Sequence, residues 1–179
     1  MQPLFLIFDL NGTLLSYHHK TQRSDHPEWF RKHSFEELPL AEWTSYVVHL
    51  RNHLTGLLDF LFEQHPACHL AVWSFSGKNR ASVQKLSEIV FGQYISRLEF
   101  IWSKYEAVRG KKCLEQVWES YPHWIRSRTL LIEDSMHKSC HREHTLVIPS
   151  FDFRRELSCK EEMRDTSLLD LVETLRRLQ

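Results

Sequence analysis

The apolar run Phe5-Leu6-Ile7-Phe8 ends on a carboxylate, Asp9, and Leu10-Asn11-Gly12-Thr13 follow as a tight polar turn. Two further apolar runs end in the same way. Leu70-Ala71-Val72-Trp73 stops at Ser74, Phe75 and Ser76, and Thr129-Leu130-Leu131-Ile132 stops at Glu133 and Asp134. If these runs are parallel strands, the polar sets share one edge of a sheet, where ligands of such sheets gather. An attacking carboxylate, an acid pair, hydroxyls and a lysine are the parts that phosphoryl transfer requires. Asp9 and Asp134 suit Mg²⁺, which takes one or two carboxylates and leaves room for phosphate and water. Such an ion would offset the repulsion between an attacking carboxylate and a phosphate dianion.

The first turn has a plainer reading, because Asn-Gly between apolar residues is also a strong hairpin signal. A hairpin needs two matched strands. The run before the turn is apolar on both faces, whereas Ser16-Tyr17-His18-His19-Lys20 after it is polar. The mismatch favours a nucleophile loop. Asn11 then stands where a second carboxylate would be expected.

Short apolar runs alternating with helical patterns indicate an α/β chain with a mainly parallel sheet. Strands are expected at 4–8, 46–50, 70–73, 100–102, 129–132 and 146–148. Helical spacing of apolar residues predicts helices over 53–64, 79–91 and 111–120, with a last helix starting near Asp165 as N-cap. Residues 16–45 are polar and rich in His and aromatic residues, and read as a flap or insertion with little regular structure.

At 179 residues one domain, 1–179, is expected, long enough to bury a core unaided. Lys plus Arg and Asp plus Glu balance at 23 each, so net charge points to neither nucleic acid nor membrane. No run approaches the ~18 apolar residues of a membrane span, and the first residues lack a basic leader. Cys68, Cys113, Cys140 and Cys159 form no C-x-x-C pair and read as free thiols in a reducing compartment, nuclear or cytoplasmic.

Asp9-Leu10-Asn11-Gly12-Thr13 resembles the first motif of the haloacid-dehalogenase (HAD) superfamily, usually Asp-x-Asp-x-Thr. More narrowly, the chain resembles the RNA polymerase II carboxy-terminal-domain phosphatases and the nuclear-LIM-interactor-interacting-factor-like proteins. Val48-His49-Leu50-Arg51, Ala71-Val72-Trp73-Ser74-Phe75-Ser76 and Thr129-Leu130-Leu131-Ile132-Glu133-Asp134-Ser135 carry the likeness. Lys138 and Thr145-Leu146-Val147-Ile148-Pro149 continue it.

The resemblance implies a three-layer Rossmann-like α/β fold without a large cap, and a Mg²⁺-dependent phosphatase acting on phosphoserine or phosphothreonine in protein. It implies Asp9 as a nucleophile forming an aspartyl-phosphate, and Mg²⁺ held by Asp9, the Asn11 carbonyl, Glu133 and Asp134. Lys112 is implied as the phosphate-neutralising lysine, with Lys111 and Lys104 as alternatives. Thr13, Arg51, Ser74, Phe75 and Ser76 are implied on the substrate side. The chain departs from the pattern at Glu133, at Asn52 after the Arg, and above all at Asn11. An amide cannot cycle a proton near neutral pH, and such assistance is typically worth about 10²–10⁴-fold. Turnover is therefore expected to be impaired, and the competing expectation is a pseudophosphatase that binds protein or RNA.

Two other groups have spacing of interest. His137, Cys140, His141 and His144 crowd one segment at metal-like intervals, though no second pair completes a known zinc pattern. Basic and aromatic residues between His18 and His33 interleave as in RNA-binding surfaces, but Asp25, Glu28, Glu36 and Glu37 interrupt them and favour a solvated flap.

Overall fold

The computed structural model describes residues 3–19, 36–41, 44–77, 79–152 and 165–178. Its centre is a wholly parallel sheet of five strands in the order β6-β5-β1-β7-β8. These are β1 (Phe5–Phe8), β5 (His69–Trp73), β6 (Leu98–Trp102), β7 (Thr129–Glu133) and β8 (Thr145–Val147). Every residue of β1 is buried, as a central strand covered on both faces demands.

Period-two alternation along β1 builds two cores. Leu4, Leu6 and Phe8 pack with α1 (Leu54–Asp59), α2 (Arg80–Phe91) and α4 (Ser167–Arg177). Phe5 and Ile7 face Ala71, Trp73, Phe100, Leu131 and the short α3 (Glu115–Ser120), with Trp118 and Trp124 closing that side. The result is three layers with a mainly parallel sheet. Among the described residues there is no large cap, and no helix is long and apolar enough to cross a membrane.

The hairpin alternative does not occur. β2 (Leu15–His19) does follow the Asn11-Gly12 turn, but it pairs with β4 (Thr44–Leu50) and not with β1. Together with β3 (Glu36–Ala41) these strands form a separate antiparallel sheet, β2-β4-β3. This corrects the expectation of little regular structure over residues 16–45. The pairing is made by backbone partners distant in sequence, and β3 carries Pro39 beside a register shift, a placement confined to edges and bulges. The interleaved residues of 20–35 lie outside the described residues.

Two helix starts differ from expectation. The segment expected to be helical from residue 111 begins at Glu115 instead, because Lys112 is held in an extended bridge. Its N–H donates to Lys138 O at 2.7 Å, and its own carbonyl accepts from Cys140 N at 3.2 Å. In α4 the N-cap is Thr166; Asp165, one residue earlier, accepts from Ser167 N at 3.1 Å while its carboxylate binds Arg51. In α2 the N-cap is Asn79, whose Oδ1 accepts from Ser82 N at 2.9 Å. The expected helix over 53–64 closes with a π-helical stretch, Phe60–Gln64, before Pro66.

Cys113 and Cys140 are joined as a disulfide, which corrects the reading of these two as free thiols. The bridge Lys112↔Ser139 brings the two segments side by side, a proximity that spacing in sequence does not reveal. Cys68 is free, and Cys159 lies outside the described residues.

Candidate active site

β1 registers with β5 and β7 so that Phe8 lies level with Val72 and Ile132. Asp9, Ser74 and Glu133 therefore emerge together at the carboxyl edge of the sheet, where the strand order switches direction around β1. The alternation that turns Ile7 and Leu131 towards α3 turns Asp9 and Glu133 the same way. Lys112, just ahead of buried Leu114, meets them there.

Asp9 is 1 % exposed and Lys112 is fully buried. Lys112 Nζ donates to Asp9 Oδ1 at 2.9 Å and to Glu133 Oε1. A second ammonium, Lys138 Nζ, lies 3.1 Å from Asp9 Oδ2, 3.2 Å from Glu133 Oε2 and 2.6 Å from Asp134 Oδ1. Ser150 Oγ donates to the other oxygen of Asp134 at 2.9 Å. Buried charges persist only when paired in this way.

These pairings set the protonation of the cluster. Burial pushes the Asp9 carboxyl up, but Lys112 and Lys138 outweigh it and hold the group below the usual range. Glu133 goes the other way. Burial, reinforced by the charge of Asp9, raises it to about 7 against the pull of the two lysines. Burial opposes the charge on Lys138, yet Asp9, Glu133 and Asp134 together raise its pKa well above the ordinary lysine value.

The donor set fits a hard divalent ion. One oxygen from each of Asp9, Glu133 and Asp134 lies within 4.8 Å of the others, and an oxygen-only set suits Mg²⁺. The Lys138 ammonium shows that a cation is held at this point. Gly12 makes the approach feasible, since at φ +84° an added Cβ would stand 2.1 Å from Asp134 Oδ2.

The remaining predicted residues are placed as follows. Ser74 is buried; its Oγ donates to Ser76 Oγ at 2.9 Å and accepts from Ser76 N at 3.2 Å, which locks the turn after β5. The Phe75 ring lies 5.1 Å from Lys112 Nζ, in cation–π range. Asn11 makes a bridge to Leu15, and Gly12 N donates to Leu15 O at 2.8 Å. Thr13 Oγ1 is buried and has no hydrogen-bond partner among the described residues.

Arg51, expected on the substrate side, is 3 % exposed and turned to the scaffold. It donates to Thr13 O at 3.0 Å, to Pro149 O at 2.7 Å and to Asp165 Oδ2 at 2.5 Å. The guanidinium thus ties the turn after β1, the segment after β8 and the start of α4 together. Lys104 and Lys111 take no part in the contacts around Asp9 described above.

Sequence reasoning placed Lys138 in the resemblance but gave it no role; its position four residues after Asp134, on the same short loop, was the available signal. Asp165 was missed as the partner of Arg51, because the two are 114 residues apart. The His137–His144 segment does not converge on a metal. Cys140 is bound to Cys113, His141 Nε2 pairs with Glu115 at 2.5 Å, and His144 Nδ1 faces Thr129 O at 3.1 Å.

Comparison with known proteins agrees with this fold. The solved structure of Fcp1, described as an essential RNA polymerase II CTD phosphatase, superposes with a TM-score of 0.65 at 14 % identity over 96 % of this chain. The fission yeast Fcp1 bound to beryllium fluoride gives 0.64 at 15 % identity over 99 %. The chain spans 49 % and 52 % of those two chains respectively, about half their length. Comparison with curated protein sequences gives no match. The family described as NLI interacting factor-like phosphatase matches residues 4–179. With that match over nearly its whole length, the chain belongs to the NLI interacting factor-like phosphatase family.

Proposed function

We propose that this chain is a Mg²⁺-dependent, phosphoprotein-directed phosphatase domain whose turnover is limited by Asn11. The observation that carries the reading is Asp9, a buried carboxylate kept ionised by two lysines beside Glu133 and Asp134. A carboxylate held in that state is a nucleophile at neutral pH.

Bound Mg²⁺ would neutralise phosphate charge, with Asp9, Glu133, Asp134 and the Asn11 carbonyl as its protein ligands. An Asp9 oxygen attacks phosphorus as the bond to the serine or threonine oxygen breaks, leaving an aspartyl-phosphate. Lys112, already 2.9 Å from Asp9, is positioned to bind the transferred phosphoryl oxygens. The leaving alkoxide must gain a proton, and water must lose one to release phosphate and restore Asp9. The Asn11 amide performs neither step. The same residue supports a second reading, a module that binds phosphoprotein or RNA without turning over.

The test compares the chain with Asn11→Asp and Asp9→Asn on an aryl phosphate and on phosphoserine and phosphothreonine peptides with Mg²⁺. Asn11→Asp is expected to raise turnover by about 10²–10⁴-fold, and Asp9→Asn to abolish it. Silence in both the parent and Asn11→Asp, with phosphopeptide still retained, establishes the binding module instead. Silence without retention of either phosphopeptide or RNA removes both readings.

A further inference from the structure

At the opposite edge of the sheet a second cluster uses none of the residues above. His69 opens β5, Glu99 is the second residue of the neighbouring β6, and His123 lies in the turn after α3. Glu99 bridges the two imidazoles, with His69 Nδ1 on Oε1 and His123 Nε2 2.7 Å from Oε2. One donor atom from each residue lies within 4.8 Å of the other two. We propose that His69, Glu99 and His123 form a Zn²⁺ site that joins β5, β6 and the 121–124 turn.

The chemistry favours zinc over the magnesium of the carboxylate cluster. Two imidazole nitrogens and one carboxylate oxygen suit a borderline ion, and two histidines with one acid leave a fourth, tetrahedral position for water. Tetrahedral donors on bonds of about 2.1 Å stand about 3.4 Å apart. The cluster already holds one donor of each residue within 4.8 Å of the others. Entry is open, since the side chains of His69 and His123 are 37 % and 53 % exposed.

The backing is rigid, as metal ligands require. The buried Phe5 ring stacks on His69 at 4.6 Å with 17° between planes. Buried Trp124 donates its indole N–H to Glu99 Oε2 at 2.7 Å, leaving Oε1 to face the ion. The proton now shared with Glu99 at each imidazole is released or moves to the other ring nitrogen, so that a lone pair faces the metal.

The test titrates the chelator-treated full chain with Co²⁺, read by the intense visible bands of tetrahedral cobalt, and with Zn²⁺, read by calorimetry and thermal melting. One tetrahedral ion per chain is expected from the visible bands, together with a rise in Tm. His123→Ala, at an exposed position, should abolish the visible bands and weaken Zn²⁺ by at least 100-fold. His141→Ala should leave both unchanged. Should His123→Ala alter the far-UV circular dichroism, Glu99→Gln, which keeps an acceptor for Trp124, takes its place. Absence of tetrahedral bands in the parent, or bands that persist in the folded variant, would overturn the site.

Discussion

Lys138 Nζ stands 2.6 Å from Asp134 Oδ1 and occupies the point on which the carboxylates of Asp9, Glu133 and Asp134 converge. The side chain is therefore a built-in competitor for a divalent ion. Lys138→Met should tighten Mg²⁺ by about tenfold, equivalent to ~1.4 kcal/mol. Calorimetry, or electron spin resonance with Mn²⁺ as the probe, reads the change. An unchanged affinity would show that Lys138 does not share the ion's place.

Gly12 supplies two things at once, a left-handed backbone and room for Asp134. Gly12→Ala should cost more than about 1 kcal/mol, because its φ of +84° strains any other residue. It should also push the Asp134 carboxylate out of the cluster and weaken metal binding. Urea midpoints and Mn²⁺ titration measure the two effects separately. Full stability with full metal affinity would contradict both.

Glu133 gives the stability curve an unusual slope. In the unfolded chain it titrates near 4.5, whereas in the folded chain it is raised to about 7, chiefly by burial. Between those values the folded state binds the extra proton, so this group makes stability fall as pH rises from about 4.5 to about 7. Asp9, with its pKa lowered, acts oppositely, and its contribution disappears only as pH drops below the ordinary aspartate range. Urea midpoints measured in chelator from pH 5 to 8 should decline in the parent more steeply than in Glu133→Gln. Identical slopes would refute the assignment.

The disulfide closes a loop of sequence separation 27. Loop-closure entropy for that length predicts about 3–4 kcal/mol of stabilisation at 25 °C. Cys113→Ser should lose that amount, and adding dithiothreitol should reproduce the loss in the parent but not in the variant. Equal urea midpoints for the oxidised and reduced parent would show that the link contributes nothing.

The strands that build the site were legible because each is a short, doubly buried apolar run with a polar residue at its end. Phe5–Phe8 into Asp9 is the clearest case. What stayed hidden depends on contacts between distant segments. Of the β2-β4-β3 sheet only β4 was expected, at 46–50, since β2 and β3 lack a strong alternating pattern, and Lys112 sits in a bridge rather than in the helix that Leu114, Val117 and Trp118 suggest. The Cys113–Cys140 link and the Arg51–Asp165 pair have no local signature at all. The place of Asp9 at a strand end was readable; its second ammonium, Lys138, became readable only once the loop after β7 was folded back onto it.

The order of the strands also governs when the site comes into existence during synthesis. Asp9 leaves the ribosome well ahead of its partners, since Lys112 lies 103 residues later and Lys138 129 residues later. At about 5–20 residues per second, the nascent chain carries β1 for several seconds before β7 emerges to flank it. Through that interval the Asp9 carboxylate has no cation to justify its burial. The centre of the sheet must therefore condense late, and a chain released before Lys138 would hold Asp9 without completing the cluster that keeps it charged.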